Sequence, residues 1–315
     1  MLEKIIVVSP RGFCAGEERA IEVVEKALEI FQKPVYVKHQ IVHNEHVVRS
    51  LEAKGAVFVE ELEEVPSEHT VIFSAHGVSP AVRAEAEERG LRVIDATCPL
   101  VTKVHLEALK YHREGLSIIL IGHKGHQEVN GTMGVVPMTL VEKVEDVAAI
   151  ELENPQKVAC LTQTTLSLDD TREIFNALEK KFPKVVTPAG SDICYATQNR
   201  QSAVKELTKR TDLILVVGSE MSSNSQRLVE TAIQSGTAAY LIQDRFAIQG
   251  TWFTGVHAVG ITSGASVPDV LVEEVIDHIK RVVNENVVVE LLEVLQEDVQ
   301  FSLPKEVQGV TVNTR

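Results

Sequence analysis

The sequence predicts an α/β fold of three pseudo-threefold-related units with parallel-rich sheets. Three observations lead there: a cysteine recurs three times in one local setting, a short apolar run follows each, and polar loop residues recur behind them. Cys14 lies in VVSPRGFCAGEERAIEVVEKALEI, Cys98 in VIDATCPLVTKVHLEALKYHREG and Cys194 in SDICYATQNRQSAVKELTKR. Each thiol precedes apolar residues at helical spacing, which places it near a helix N-terminus. The runs VYVK (35–38), SIILIG (117–122) and LILVVG (213–218) read as buried parallel strands.

The copies stay in step. His43 follows its cysteine by 29 residues, His126 by 28 and Ser222 by 28. GAVFVEEL, MTLVEKVEDV and AAYLIQDRF come next, each a strand leading to an acidic helix start. TVIFSAHG (70–77), KVACLTQTT (157–165) and HAVGITSGAS (257–266) then supply a last strand, followed by helix-start signals at Pro80, Ser167 and Pro268. Alternating strands and helices alone would match core positions, but these landmarks are polar loop positions. Length alone, 315 residues, favours about two domains. The repeat instead divides the chain into 1–97, 98–190 and 191–284, with a C-terminal extension, 285–315, expected to pack back on the body.

Composition narrows the function. Hydrophobic residues at 44% and charged residues at 24% allow a large core. The net charge of −14, from 31 basic and 45 acidic residues, argues against nucleic acid or an anionic membrane as partner. Aromatics at 4%, with one Trp, argue against base-stacking surfaces. No run approaches the roughly 18 apolar residues of a membrane span. The first apolar run, Ile5 to Val8, ends before Pro10 and Arg11, too early for a signal-peptide core. A cytoplasmic enzyme is therefore expected, in which disulfides rarely persist. None of the four cysteines forms a C-x-x-C pair.

In open α/β units, ligands bind outside the carboxyl ends of the strands. Three units around an axis would gather three cysteines and six polar loops. Three thiolates suit a soft metal: zinc completed by a His, or an iron–sulfur cluster in which one iron lacks a protein ligand. Cys160, inside the strand KVACLTQ, reads as a small core residue.

The polar loops hold His43, His76, His126, Glu128, Thr164, Thr165, Ser222, Ser223, Asn224 and Ser266. Hydroxyls, imidazoles and an amide at helix N-termini suit a phosphate or diphosphate. No Lys or Arg is among them, so positive charge is expected from protonated His and the helix ends. A carboxylate in such a place is costly unless it moves protons, which marks Glu128, with Thr164 completing a hydroxyl relay. His123 reads as support for the His126 loop, and His39, His46, His69, His105, His112, His257 and His278 as surface residues. No P-loop and no G-x-G-x-x-G is present, and H-K-G-H-Q-E is not the H-E-x-x-H metalloprotease helix.

Taken together, PRGFCAGEERAI, HQIVHN, FSAHGVS, DATCPLVTKVH, IGHKGHQEVNGTMG, TQTTLS, DICYATQNRQ, VGSEMSSNSQRL and ITSGASVPD closely resemble the 4-hydroxy-3-methylbut-2-enyl diphosphate reductase family over roughly residues 5–285. The resemblance implies a trefoil of three α/β domains around a central 4Fe-4S cluster, with Cys14, Cys98 and Cys194 as ligands. It implies a diphosphate site at His43, His76, His126, Ser222, Ser223, Asn224 and Ser266, with Thr165 in the same motif as Thr164. Glu128 matches the acid that protonates the allylic hydroxyl, the open iron binding that hydroxyl. The implied reaction is a two-electron, two-proton reductive dehydroxylation to isopentenyl and dimethylallyl diphosphate, the last step of the methylerythritol phosphate route. Electrons would come from ferredoxin or flavodoxin, whose docking on this acidic chain needs a local basic patch. Departures are few: VVPMTLVEK is short, and Glu17 and Glu18 add acidity just after Cys14.

Two rival classes remain at this level. A non-redox iron–sulfur hydro-lyase would need no electron carrier. An iron–sulfur sensor would carry a basic nucleic-acid-binding helix or a disordered partner tail, and the sequence has neither.

Overall fold

The structure is a computed structural model that describes residues 2–308; residues 309–315 of the C-terminal extension lie outside it. In chain order, β1 (Lys4–Ser9) leads to α1 (Ala15–Ile30), β2 (Val35–Lys38), α2 (Glu45–Lys54), β3 (Ala56–Val59), β4 (Thr70–Phe73), α3 (Pro80–Glu88) and β5 (Arg92–Asp95). Then come α4 (Pro99–Arg113), β6 (Ser117–Ile121), α5 (Gln127–Met133), β7 (Met138–Val141), α6 (Val144–Ala148), β8 (Val158–Thr162) and α7 (Leu168–Lys181). The chain continues with α8 (Tyr195–Thr208), β9 (Leu213–Val217), α9 (Ser223–Gln234), β10 (Ala238–Ile242), β11 (Ala258–Ser263), α10 (Asp269–Val282) and β12 (Val288–Glu293).

Three sheets result, in strand orders β3-β2-β4-β5, β7-β6-β8 and β10-β9-β11-β1-β12. Every pairing between these strands is parallel. The trio β3-β2-β4 repeats as β7-β6-β8 and as β10-β9-β11, so the three sheets share one plan. The strand ahead of each cysteine adds beside the last strand of such a trio. β5 joins β4, and Val186 forms a bridge to Ala159 in β8. β1, ahead of Cys14, joins β11 at the far end of the sequence. β12, from the C-terminal extension, then pairs with β1 along its full length, Lys4 with Val288 through Ser9 with Glu293.

The short apolar runs form strands because both of their faces are covered. In β9, Leu213, Leu215 and Val217 pack on one side with Val272 and Val275 of α10. Ile214 and Val216 pack on the other with Ala203 and Val204 of α8 and Leu228 of α9. Alternation in β6 works alike: Ile119 and Ile121 face α7, while Ile118 and Leu120 face α4. Cys160 lies in the first of these two cores, 2% exposed.

The chain divides into two compact units. The first comprises the residues up to Cys14, His43–Glu45 and Tyr195–Val299, and holds the five-stranded sheet. The second comprises Ala15–Val42, His46–Cys194 and the segment from Gln300, and holds the other two sheets. Among the described residues no helix is long and apolar enough to cross a membrane.

Candidate functional site

The residues singled out by sequence divide between the two units. Cys14, His43, Ser222, Ser223, Asn224 and Ser266 belong to the first, and Cys98, Cys194, His76, His126, Glu128, Thr164 and Thr165 to the second. All sit where a strand's carboxyl end passes into a helix.

One hydrogen bond recurs at the three cysteines. The Cys98 amide donates to the Ala75 carbonyl at 2.9 Å, that of Cys194 to Thr164 at 2.9 Å and that of Cys14 to Ala265 at 3.2 Å. The acceptors immediately precede His76, Thr165 and Ser266, so those three polar residues hold equivalent positions. A second bond ties the same loops inward: Ala75 to Ile41, Gln163 to Ile121 and Gly264 to Val217, each amide to carbonyl. All four cysteines are thiols with no disulfide, and the three in loops are half-buried. Burial pushes the Cys98 thiol up to about 12, with the charges of Cys194 and Glu17 adding to it. A thiolate there requires a cation against it, and a bound metal supplies one. Thiolate donors of this kind suit an iron–sulfur group.

In the second unit, Glu128 lies in the first turn of α5, 3% exposed. Thr164 donates to it twice, from its amide to Oε1 at 2.7 Å and from its hydroxyl to Oε2 at 2.9 Å. Burial outweighs these bonds and holds the carboxyl up at about 7. His126 is the N-cap of α5, its Nδ1 accepting from the Glu128 amide at 3.2 Å. In that bond Nδ1 is the acceptor, which leaves Nε2 as the ring's remaining donor. The His76 and His126 rings meet edge to face, with centroids 5.9 Å apart.

Sequence reasoning missed three neighbours. Gln163, 1% exposed, accepts from the His123 amide at 3.0 Å and donates to the Thr165 hydroxyl at 2.9 Å. It stands inside the motif TQTT, but its role depends on a contact 40 residues away. Asp192 accepts from the Thr162 amide at 3.1 Å and from Lys103 at 3.1 Å. Burial and a hydrogen bond to Asp192 push Glu107 up to about 7. His105 is not a surface residue: burial holds it down at about 4, with its Nε2 beside the Thr132 hydroxyl at 3.2 Å.

In the first unit, Ser222 is the N-cap of α9, its hydroxyl accepting from the Ser225 amide at 3.2 Å. Ser223 and Asn224 form the first turn, both buried. Neither amide atom of the Asn224 side chain, 3% exposed, has a partner among the described residues. A buried amide in that condition is costly, and a polar ligand removes the cost. The Ser266 hydroxyl donates to the His43 carbonyl at 3.2 Å, holding both residues together. Gly264 lets the β11 loop close on α9: a Cβ there would stand 2.1 Å from Ser225 Oγ and 3.5 Å from Asn224 Nδ2.

Known proteins resemble this chain over nearly its whole length. The family model described as "LytB protein" matches residues 5–280. The "4-hydroxy-3-methylbut-2-enyl diphosphate reductase 2" of Burkholderia mallei is 55% identical over 304 residues, 96% of this chain and 93% of that protein. The enzyme of Pseudoalteromonas translucida called "4-hydroxy-3-methylbut-2-enyl diphosphate reductase" is 52% identical over 310 residues, 97% of this chain and 100% of that protein. A solved structure of the "E-1-hydroxy-2-methyl-but-2-enyl-4-diphosphate reductase from Plasmodium falciparum" superposes with a TM-score of 0.94 at 38% identity, covering 98% of this chain and 97% of that one.

Proposed function

The chain belongs to the LytB family of reductases, and we propose that it converts (E)-4-hydroxy-3-methylbut-2-enyl diphosphate to isopentenyl and dimethylallyl diphosphate. The substrate takes up two electrons and two protons, loses its allylic hydroxyl as water, and is protonated at either end of the allyl unit. The observation that carries this reading is the Glu128–Thr164 pair, a buried acid poised near neutrality beside a hydroxyl. Cys14, Cys98 and Cys194 would hold a 4Fe-4S cluster, which when bound supplies the electrons and a Lewis-acidic iron. We read 1–97, 98–190 and 191–284 as the three repeats that deliver one cysteine each.

Glu128 supplies the proton for the departing hydroxyl. Its Oε1 is fixed as an acceptor by the Thr164 amide, so the acid proton rests on Oε2, and in that form the Thr164 hydroxyl turns from donor to acceptor. Proton transfer out of Oε2 then passes through Thr164 or directly to the substrate. Asn224, Ser222, Ser223, Ser266, His43, His76, His126 and Thr165 bind the diphosphate through hydroxyl, amide and imidazole donors. The α9 N-terminus adds its positive dipole end.

Electrons come from a small acidic carrier, ferredoxin or flavodoxin. Support comes from an open groove on the second unit, where Lys103, Lys110 and Arg19 stand with Leu106 beside Asp95 and Glu107. Helix α4 carries both lysines and begins directly after Cys98.

The test is anaerobic purification, iron analysis, and assay with the allylic diphosphate and a reduced dye. A brown protein forming isopentenyl diphosphate is expected. Iron-free protein, or cluster-bearing protein that gives no product, overturns the reading. Reversing Lys103 and Lys110 to Glu should slow turnover with ferredoxin and not with the dye.

A further inference from the structure

Arg200 is the largest fully buried side chain of the described residues. It stands on α8, and its guanidinium converges on the loop just ahead of Cys14. Nε and Nη2 donate to the Gly12 carbonyl at 3.2 and 2.7 Å, and Nη2 also to the Phe13 carbonyl at 3.2 Å. Nη1 donates to the Ala196 carbonyl at 3.0 Å and to Glu297, at 3.0 Å from Oε1 and 3.3 Å from Oε2. Asn199 donates to the same Oε1 at 2.9 Å.

Glu297 belongs to the extension beyond the repeats. Its segment is led there by β12, and the Val294 amide continues that ladder by donating to the Ser9 carbonyl at 3.0 Å. The chain after β12 thus runs beside the segment that carries Cys14. Gly12 turns the loop with a φ of +67°, a conformation open to glycine, and its carbonyl takes two of the Arg200 donors. A buried guanidinium spends its donors on those carbonyls only while its charge is matched, and Glu297 is its one carboxylate partner in the structure described.

We propose that Glu297, acting through Arg200, is a positioning residue that locks the Cys14 loop in its ligand-bearing conformation. The C-terminal extension thereby closes a clasp over the first ligand. The proposal rests on the reading of Cys14 as a cluster ligand, and its test separates the two.

The experiment compares Glu297→Ala and Glu297→Gln with Asp212→Ala in the full chain. Asp212 is a control in the same unit, accepting from the His257 and Ala258 amides at 2.9 Å each, at the opposite ends of the strands. In apoprotein, alkylation by iodoacetamide is followed cysteine by cysteine with peptide mass spectrometry. Glu297→Ala should accelerate labelling of Cys14 about tenfold relative to Cys98 and Cys194, the scale of one lost charged hydrogen bond. Glu297→Gln, which keeps an acceptor oxygen, should fall between. In anaerobically loaded protein, the same order should hold for the rate of cluster loss on exposure to air. Asp212→Ala should show neither effect. Equal acceleration at all three cysteines, or the same selectivity in Asp212→Ala, overturns the clasp. Iron-free wild type would overturn the cluster reading alone, with the labelling arm still deciding the clasp. If Glu297→Ala does not fold, Glu297→Gln decides, and wild-type labelling of its Cys14 overturns the proposal.

Discussion

Thr164 meets both oxygens of the Glu128 carboxyl, amide to Oε1 at 2.7 Å and hydroxyl to Oε2 at 2.9 Å. Burial keeps the acid up at about 7, so the proton-donating form is lost, and turnover falls, as pH rises through about 7. Glu128→Gln should keep substrate affinity and lose about 10²–10⁴-fold in kcat. A near-normal kcat removes Glu128 from proton transfer. The shift also has a sign for stability. Between 4.5, its ordinary value, and about 7 the folded chain keeps a proton that the unfolded chain has released. This group's contribution is therefore present at low pH and lost on going up to about 7, by roughly 3 kcal/mol. Urea denaturation across that window should show a flatter pH slope in Glu128→Gln.

Thr164→Val removes the hydroxyl and keeps the amide. Losing a donor to the ionised carboxylate raises Glu128 further, so the alkaline limb of the pH–rate profile should move up by on the order of one unit. Turnover at the optimum should fall as the relay is broken, and Thr164→Ser should restore both. An unmoved limb in Thr164→Val would show that the hydroxyl has no hold on Glu128.

Gly264 and Gly218 both abut Ser225, at different atoms. A Cβ on Gly264 would stand 2.1 Å from Ser225 Oγ and 3.3 Å from its Cβ. One on Gly218 would stand 2.3 Å from Oγ and 2.6 Å from Cβ. Each alanine should cost about 1–3 kcal/mol by overpacking and raise KM by shifting Asn224. Ser225 Oγ is buried without a partner, so Ser225→Ala alone should be tolerated. Adding it should rescue Gly264→Ala and not Gly218→Ala, as read by Tm and KM. Equal rescue of both would refute the assignment of the clash.

Cys160→Ser should keep the wild-type iron content and lose about 1–3 kcal/mol, because it buries a hydroxyl in an apolar core. Iron lost in proportion to that thiol would make Cys160 a ligand instead of a core residue.

Strand and helix positions were legible in the sequence because they rest on local patterns: continuous apolar runs for β2, β6 and β9, and proline or serine helix starts at Pro80 and Ser167. Parallel pairing followed from the helices between the strands. The partner of β1 was not legible. KIIVVS has no local feature that selects β11, some 250 residues on, over β2 nearby. Nor was the Arg200–Glu297 pair, since charges 97 residues apart carry no spacing signal. The capping role of His126 was hidden as well, since it depends on one backbone amide reaching Nδ1.

Among the described strands, β1 is synthesised ahead of the others and finds its partners last. Its neighbours β11 and β12 leave the ribosome only after residues 258 and 288 have been added. At roughly 5–20 residues per second, that delay is on the order of 10–50 s. Throughout synthesis, then, an apolar strand waits without its sheet. The second unit has all but its last segment by Cys194 and can begin folding ahead of the first. A nascent chain halted before β11 therefore exposes KIIVVS to any strand edge or chaperone within reach, and a stalled product should be more aggregation-prone than the complete chain.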